Sequence, residues 1–258
     1  MIILESTGSY LSESIIKKLH FKNENDRIVF NRVYGKSLTS YNNRLKILKM
    51  TEKKKILDAG CGFGQWTIGL SDLNEEVYSV DMDFNDLLIT KTISQSLNKP
   101  NISLFSASIE ELPFSDNSFD AVFSYSVLYY TDFKKTIKEF YRVLKSGGVF
   151  YACVIGIGWC LNRIINNQNF TSESNVRKYA IDTLLSSINY FLKGEQKRGS
   201  SIALTPNWFS KYLQLVGFKK IICAPEGTIH LDKGLNIQPF YKASYLGFTN
   251  VFEVLAEK

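Results

Sequence analysis

The sequence has little of what marks several common protein classes. Its 258 residues include only four cysteines, five prolines and two histidines. The cysteines are widely spaced and form no Cys-x-x-Cys pair, so neither a disulfide framework nor a metal site is expected. The most apolar stretch, residues 147–161, contains glycines and is too short to span a membrane, and no secretory signal is visible. We therefore expect a cytoplasmic protein with no membrane span and no metal.

The composition and charge favour a folded protein that does not bind nucleic acid. Hydrophobic residues make up 45% and aromatic residues 14% of the chain, enough for a sizeable core and too much for a disordered protein. The net charge of +6 is mild, and the basic residues are spread along the chain rather than gathered into an aromatic-interleaved patch. We therefore expect no nucleic-acid partner, and a homodimer is left open.

Short apolar segments alternate with amphipathic ones from residue 55 onward, which predicts a parallel sheet covered by helices on both faces. The strands are predicted at 55–60, 75–81, 101–108, 119–126, 149–156, 219–227 and 249–258, and the helices between them at 63–73, 84–97, 132–145 and 207–218. The helix at 132–145 is expected to stop at Gly147 and Gly148, because glycine is a common helix terminus. The fold class is α/β.

The remaining segments lack this alternation and divide the chain. Residues 1–50 are predicted to be helical, notably at 15–21 and 41–50, and to form a cap. The core comprises residues 51–156 and 206–258. Residues 157–205 form a mostly helical insertion after the fifth strand, and residues 225–248 form a long loop or short hairpin. Both leave the carboxyl end of a strand, where ligands of such sheets bind, so both are expected to cover the site as a lid.

The chemistry-bearing motif is DAGCGFG at residues 58–64, where the first strand turns into a helix. Glycines there let the backbone approach a ligand closely, and the helix N-terminus presents unpaired N–H groups. Asp81 closes the second strand 21 positions after Gly60, close to the spacing of a carboxylate that binds ribose hydroxyls. Together these features predict a crevice for a nucleoside.

The spacing of the glycines helps to identify the nucleoside. They fall at residues 60, 62 and 64, and Gln65 follows, whereas dinucleotide sites use Gly-x-Gly-x-x-Gly. Asp58 directly before the turn would repel a pyrophosphate and suits a ligand with a positive centre. This favours S-adenosylmethionine over NAD as the cofactor and disfavours an oxidoreductase.

Several stretches resemble the class I S-adenosylmethionine-dependent methyltransferases of the small-molecule kind related to quinone-biosynthesis enzymes. The matching stretches are LDAGCGFG, VDMD, IEELPFSDNSFDAVFSYSVLYY, RVLKSGG and VGFKKI, which begin at residues 57, 80, 109, 142 and 216. The resemblance implies a doubly wound, Rossmann-like sheet of seven strands, mostly parallel with an antiparallel last strand. It implies an enzyme that transfers a methyl group by in-line displacement to an O or N atom of a small molecule.

The resemblance also implies roles for individual residues. The methionine part of the cofactor would be lined by Asp58, Gly60, Cys61 and Gly62, the ribose would be bound by Asp81, the adenine would meet Met82, Ser108 and Ile109, and the reacting methyl would face Ser124. Many relatives have Asp in place of Ser108, and a hydroxyl is a weaker acceptor. Relatives often have Leu-Glu-His where residues 128–130 are Leu-Tyr-Tyr, so a role for that histidine does not carry over.

The residues that would act on the acceptor are less well marked. His230 is the leading candidate for a general base because its loop leaves the cofactor edge of the sheet, although it equally suits an ordinary surface position. Tyr130, after the fourth strand, is the second catalytic candidate. Five aromatic residues are candidates for lining the pocket or orienting the acceptor, although core packing is the favoured role of each: Tyr34, Tyr41, Tyr129, Tyr130 and Trp159.

The acceptor class and two other functions stay open. A natural product, a sugar or nucleotide-sugar, or a quinone precursor would suit the fold, and the tyrosine-rich, mildly basic lid suggests a polar or anionic acceptor. The alternatives are an RNA or protein methyltransferase and a non-catalytic nucleoside-binding subunit. The nucleic-acid alternative is disfavoured because the residues that end the fourth strand, Ser124 to Val127, contain neither the Asn/Asp-Pro-Pro-aromatic tetrad of amino-methylating enzymes nor a nucleophilic cysteine.

Overall fold

A seven-stranded mixed sheet organises the chain. The computed structural model describes residues 10–166, 175–194, 196, 199–232, 234, 235 and 237–258. The strands are β1 Lys55–Ala59, β2 Glu76–Asp81, β3 Ile102–Ser106, β4 Phe119–Tyr125, β5 Leu144–Ile155, β6 Lys219–Pro225, β7 Ser244–Tyr245, β8 Phe248–Thr249 and β9 Val251–Glu257. Seven of them form one sheet in the order β3-β2-β1-β4-β5-β9-β6, and β7 and β8 form a separate hairpin.

Helices cover both faces of this sheet. They are α1 Glu13–Ile16, α2 Glu24–Tyr34, α3 Leu38–Ile47, α4 Gln65–Leu73, α5 Phe84–Ser96, α6 Phe133–Val143, α7 Ile157–Asn166, α8 Val176–Lys193 and α9 Pro206–Val216, and a short 3-10 helix spans Leu128–Tyr130. Within the described residues, no helix is both long and apolar enough to cross a membrane.

The strand pairing confirms the predicted fold class. The pairs β1–β2, β1–β4, β2–β3 and β4–β5 are parallel, and β9 lies antiparallel between β5 and β6. The apolar sequences of β5 and β9 explain their central place, because strands covered on both faces need near-continuous hydrophobic side chains. The carboxyl ends of β1, β2 and β4 therefore meet at one edge of the sheet.

The aromatic residues fill the core on the two faces and beneath the N-terminal helices. One cluster includes Phe140 and Phe150, and a second includes Trp66 and Tyr151. A third joins Phe30 and Tyr34 of α2 to Phe63 of the glycine turn; the Phe30 and Tyr34 rings stack with centroids 4.5 Å apart, whereas the Phe30 and Phe63 rings meet edge-on at 5.8 Å. The N-terminal helices are thus packed directly on the turn that the sequence marks as the ligand site.

Two local predictions were wrong. Helix α6 ends at Val143 rather than at Gly147, because β5 already starts at Leu144. Gly147, with a φ of 76°, lies in the irregular start of that strand, where its register against β4 shifts. The first predicted helix, 15–21, is only the short α1; the longer α2 begins after Asn23, whose side chain accepts a hydrogen bond from the Asp26 N–H at 2.8 Å.

A buried ion network joins α3 to the end of the sheet. One Arg44 nitrogen lies 2.6 Å from Glu226 Oε1 and 3.4 Å from Glu253 Oε2, and all three side chains are at most 1% exposed. The other Glu226 oxygen accepts hydrogen bonds from the Phe240 and Tyr241 N–H groups. The network therefore fixes the segment that follows β6 against both α3 and β9.

We expect Arg44→Leu to lower the free energy of unfolding by about 3–5 kcal/mol, because it leaves Glu226 and Glu253 buried without their cation. Urea unfolding measures the change. The matched control is Lys135→Leu, which removes a cation from the exposed pair with Glu111 and should cost less than about 1 kcal/mol. A loss for Arg44→Leu no larger than that of the control would contradict the importance of the network.

Candidate functional site

The glycine turn between β1 and α4 is a left-handed backbone segment. Gly60, Gly62 and Gly64 have φ values of 81°, 52° and 80°. A Cβ on Gly60 would lie 2.6 Å from the Val127 side chain, and one on Gly64 would lie 2.4 Å from Thr90, so these two glycines are required by packing. A Cβ on Gly62 would meet nothing within 4 Å. The open side of the turn is therefore at Gly62.

Neighbouring elements hold this turn in place. The Gly60 N–H donates to the Val80 carbonyl of β2 at 2.8 Å. The Thr90 hydroxyl of α5 donates to the Gly62 carbonyl at 3.0 Å, and the buried Tyr34 hydroxyl of α2 donates to the Phe63 carbonyl at 2.7 Å. Tyr34, an aromatic candidate from the sequence, thus braces the turn.

The predicted nucleoside residues meet beside Gly62. The Asp81 carboxylate accepts from the Gly62 N–H at 2.8 Å and from the Asp83 N–H at 2.9 Å. Met82 is 73% exposed next to it. The Ala107 N–H donates to the Asp81 carbonyl, which places Ser108 at the same edge of the sheet. Gly62, Asp81, Met82 and Ser108 therefore lie at the same edge of the sheet.

Three other predicted cofactor residues have buried side chains. Ile109 is 4% exposed and belongs to the core. The Ser124 hydroxyl donates to the Ala59 carbonyl at 3.0 Å and is fully buried. Asp58 is 2% exposed and accepts a hydrogen bond from the Thr67 hydroxyl at 2.6 Å. Their predicted contacts with the cofactor stay predictions, because these side chains are engaged inside the fold.

Carboxylates concentrate around the turn. Burial raises the pKa of Asp58 to about 7, so the full negative charge expected from its sequence position is reduced near neutral pH. Burial, with the nearby Asp83 and Asp81, likewise raises the pKa of Asp86 to about 7. Asp86 was not among the residues predicted from the sequence, although its position in the first turn of the helix after β2 places it near the end of that strand. A cationic ligand would relieve this accumulation of negative charge.

Cys61 lies within the turn but is not suited to nucleophilic chemistry. Its side chain is buried, and burial raises the pKa of the thiol well above its usual range, with Asp58 and Asp81 adding to the effect. The small size of cysteine is sufficient to explain this residue. No cluster of metal-ligating side chains is found among the residues that the structure describes.

A cavity of about 390 Å³ opens beside the start of α4. Its walls come from α2, α3, α4, β4, α7 and the segment that follows β6. The lining residues are Arg32, Val33, Lys36, Tyr41, Gln65, Trp66, Tyr125, Trp159, Asn162, Arg163, Asn166, Phe240, Tyr241, Lys242, Tyr245 and Asn250. Two of the aromatic candidates from the sequence, Tyr41 and Trp159, belong to this lining. The other lining residues were not predicted, because they come together from distant parts of the chain.

The structure does not bring His230 to this cavity. Its side chain is exposed, and one ring nitrogen lies 3.3 Å from the Gly227 carbonyl oxygen. The next residue, Leu231, donates its N–H to the carbonyl of Ile47 at the end of α3. Because α3 runs beside α4 and ends near the end of α4 that is remote from the turn, His230 lies away from the open space at Gly62.

Tyr130 also lies outside the cavity walls. It is 55% exposed, and its ring packs on Tyr129 with centroids 4.4 Å apart and on Tyr179 of α8 at 6.3 Å. Tyr129 is 9% exposed and belongs to the core, which agrees with core packing as the favoured role of these aromatic residues. The two predicted catalytic residues therefore both lie outside the cavity lining, and their catalytic roles stay predictions.

Comparison with curated proteins finds similarity over the central part of the chain. Residues 57–152 match the family model described as a methyltransferase domain. The chain is 31% identical over 148 residues to a demethylmenaquinone methyltransferase of a Geobacillus species, a match covering 56% of this chain and 61% of that protein. It is 32% identical over 143 residues to the demethylmenaquinone methyltransferase of Oceanobacillus iheyensis, covering 49% and 60%. The matches thus span less than two thirds of these relatives.

Solved structures share the fold at low sequence identity. A phosphoethanolamine N-methyltransferase of Haemonchus contortus in complex with S-adenosyl-L-methionine matches 90% of this chain and 57% of its own with a TM-score of 0.61 and 20% identity. A Thermotoga maritima protein described as a possible histamine N-methyltransferase matches 91% and 95%, with 0.55 and 16%. A (4+2)-cyclase, SpnF, matches 76% and 62%, with 0.54 and 16%. These likenesses establish the fold, and a fold alone does not fix the reaction.

We expect Asp58 to make stability depend on pH. Its pKa is raised from 3.8 to about 7 in the folded chain, so its contribution is fully present below about pH 4 and is lost as the pH rises through 7. Asp58→Asn keeps an acceptor for the Thr67 hydroxyl but carries no titrating proton. Relative to the unaltered chain, it should gain of the order of 2 kcal/mol between pH 5 and pH 8 in urea unfolding.

The control is Asp182→Asn, at an exposed position on α8. A difference between Asp58→Asn and the unaltered chain that stays constant from pH 5 to pH 8 would show that Asp58 is ionised throughout.

Proposed function

We propose that the protein transfers a methyl group to an O or N atom of a small molecule, on the premise that residues 57–152, which match the methyltransferase-domain model, form a class I S-adenosylmethionine-dependent domain. The predicted resemblance, fold class and cofactor of this domain are confirmed. One observation carries the proposal about the whole protein: the cavity is lined by Gln65 and Trp66, which directly follow the glycine turn.

The residues beside Gly62 fit S-adenosylmethionine. The side of Gly62 that would carry a Cβ is open, so a ligand can approach the backbone. Asp81 offers carboxylate oxygens for the ribose hydroxyls, and exposed Met82 offers an apolar surface for adenine. The acidic surroundings of the turn suit the ammonium and sulfonium charges. We infer that Gly60 and Gly62 line the methionine part, as the motif implies.

The cavity fits a small acceptor better than a macromolecule. Walls of the cavity come from α2, α7 and the segment after β6. In this proposal they act as the cap and lid expected for residues 1–50, 157–205 and 225–248. These walls align the acceptor and exclude water, while the cofactor supplies the reactive methyl group. A cavity of about 390 Å³ next to the glycine turn also favours an enzyme over a subunit that only binds a nucleoside.

The relatives and the aromatic walls favour an acceptor with a ring. Demethylmenaquinone, the compound after which the curated relatives are named, is a quinone precursor, one of the classes expected from the sequence. Natural products with a planar body fit the same walls. The reaction itself is tested by incubating the protein with S-adenosylmethionine and a panel of such compounds and measuring the release of S-adenosylhomocysteine; no release above the rate without protein would overturn the proposal.

We expect Asp81→Ala to weaken binding of S-adenosylhomocysteine at least tenfold, the size of lost hydrogen bonds to a charged group. Isothermal titration calorimetry measures the affinity, and Asp182→Ala on α8 is the control that should bind normally. Thermal unfolding of both variants separates lost binding from lost folding, because Asp81 also holds the Gly62 N–H. Unchanged affinity of a folded Asp81→Ala would remove the ribose assignment.

We expect His230→Ala to keep nearly full activity, because the structure places this side chain away from the turn and the cavity. The measurement is the initial rate from pH 6 to pH 9 with the first acceptor that releases product. A large loss that is greatest at high pH, where a histidine is free to accept a proton, would instead support the general-base role predicted from the sequence.

A further inference from the structure

The cavity beside α4 is cationic, in contrast with the acidic turn. Four of its lining side chains are basic: Arg32, Lys36, Arg163 and Lys242. No aspartate or glutamate belongs to the lining among the described residues. The nearest buried acid, Glu226, is already bound by Arg44 and by the Tyr125 hydroxyl. The cavity therefore keeps an excess of positive charge.

Lys36 carries that excess in a partly desolvated position. Its ammonium lies 3.2 Å from the centre of the Phe240 ring. No carboxylate of the described residues lies within ion-pair distance of it. Burial lowers its pKa to about 8; Glu226 opposes this shift, and Arg44 and Arg32 add to it. An anion bound beside Lys36 would offset these unfavourable contributions by its own attraction to the ammonium.

The aromatic side chains form a second, apolar part of the same cavity. The Trp66 ring packs at 4.7 Å from Tyr41 and at 4.8 Å from Tyr125, measured between ring centres, and at 6.3 Å from Phe240. Trp66 is also the second residue of α4, so this apolar part adjoins the glycine turn. Flat aromatic walls favour a planar, apolar molecular body.

We propose that the cavity binds an acceptor with an anionic group, a carboxylate or a phosphate, on Arg32, Lys36 and Lys242, while the planar body of the acceptor packs on the aromatic wall at Trp66. This arrangement directs the opposite end of the acceptor toward the glycine turn. The proposal deepens the proposed function and rests on it for the identity of the ligand as an acceptor, but the anion site itself is defined by this chain's own residues.

Binding of simple probes tests the site without turnover. The probes are benzoate, phenyl phosphate and the neutral ester methyl benzoate, titrated into the protein with and without saturating S-adenosylhomocysteine. We expect benzoate or phenyl phosphate to bind at least tenfold more tightly than methyl benzoate, with an affinity that falls as salt rises. The tighter of the two anions identifies the acceptor group as carboxylate or phosphate. Equal binding of the ester and both anions would overturn the proposal.

Variants locate the site. Lys36→Gln should weaken the binding of the preferred anion at least fivefold and leave methyl benzoate unchanged, and Lys36→Arg should restore most of the affinity. The matched control is Arg27→Gln, an exposed basic residue on the same helix as Arg32 that is not part of the cavity lining. If Lys36→Gln binds the anion as tightly as Arg27→Gln does, the site is not where we place it.

The two proposals fail in different ways. S-adenosylhomocysteine affinity should be the same in Lys36→Gln and in the unaltered chain, because Lys36 belongs to the cavity lining and not to the residues proposed to bind the nucleoside. Loss of cofactor binding in every form of the protein would refute the methyltransferase function and leave the anion site standing. Normal cofactor binding with no preference for anions would refute only the anion site.

Discussion

The hydrogen bond between the Gly62 N–H and the Asp81 carboxylate connects the two strand ends on which the site depends. The backbone at Gly62 is left-handed, and a Cβ there would meet nothing within 4 Å, so the turn is open at this residue while its N–H is bound to β2. The same carboxylate also accepts the Asp83 N–H at the start of α5. One side chain thus sets the positions of the turn, of the end of β2 and of the following helix.

Charge divides the site into two halves. Asp58, Asp81 and Asp86 make the turn acidic, whereas Arg32, Lys36 and Lys242 make the adjoining cavity basic. A cationic methyl donor and an anionic acceptor would each be attracted to its own half and disfavoured in the other. Electrostatics would then help to fix which molecule occupies which half before any close contact forms.

The sequence predicted what is local and missed what is assembled from afar. The strands, the glycine turn and Asp81 are contiguous patterns whose geometry follows from hydrophobic spacing and backbone freedom. The cavity could not be predicted in detail because its walls combine residues from Arg32 to Asn250. The position of His230 outside the cavity lining could not be predicted either, because a loop's direction depends on tertiary contacts such as the hydrogen bond from Leu231 to Ile47. Gly147 misled for a similar reason: a glycine suits a strand irregularity as well as a helix end.

The buried Arg44–Glu226–Glu253 network affects how the ligand preference of the cavity can change, because it anchors one cavity wall. Glu226 holds the N–H groups of Phe240 and Tyr241 from beneath, so the backbone of this cavity wall is anchored without using the side chains that face the cavity. Substitutions at Lys242 or Tyr245 can therefore reshape the mouth of the cavity while the anchorage persists. Divergence in the ligand that this cavity binds would be concentrated on that outer rim, with Arg44 and Glu226 retained.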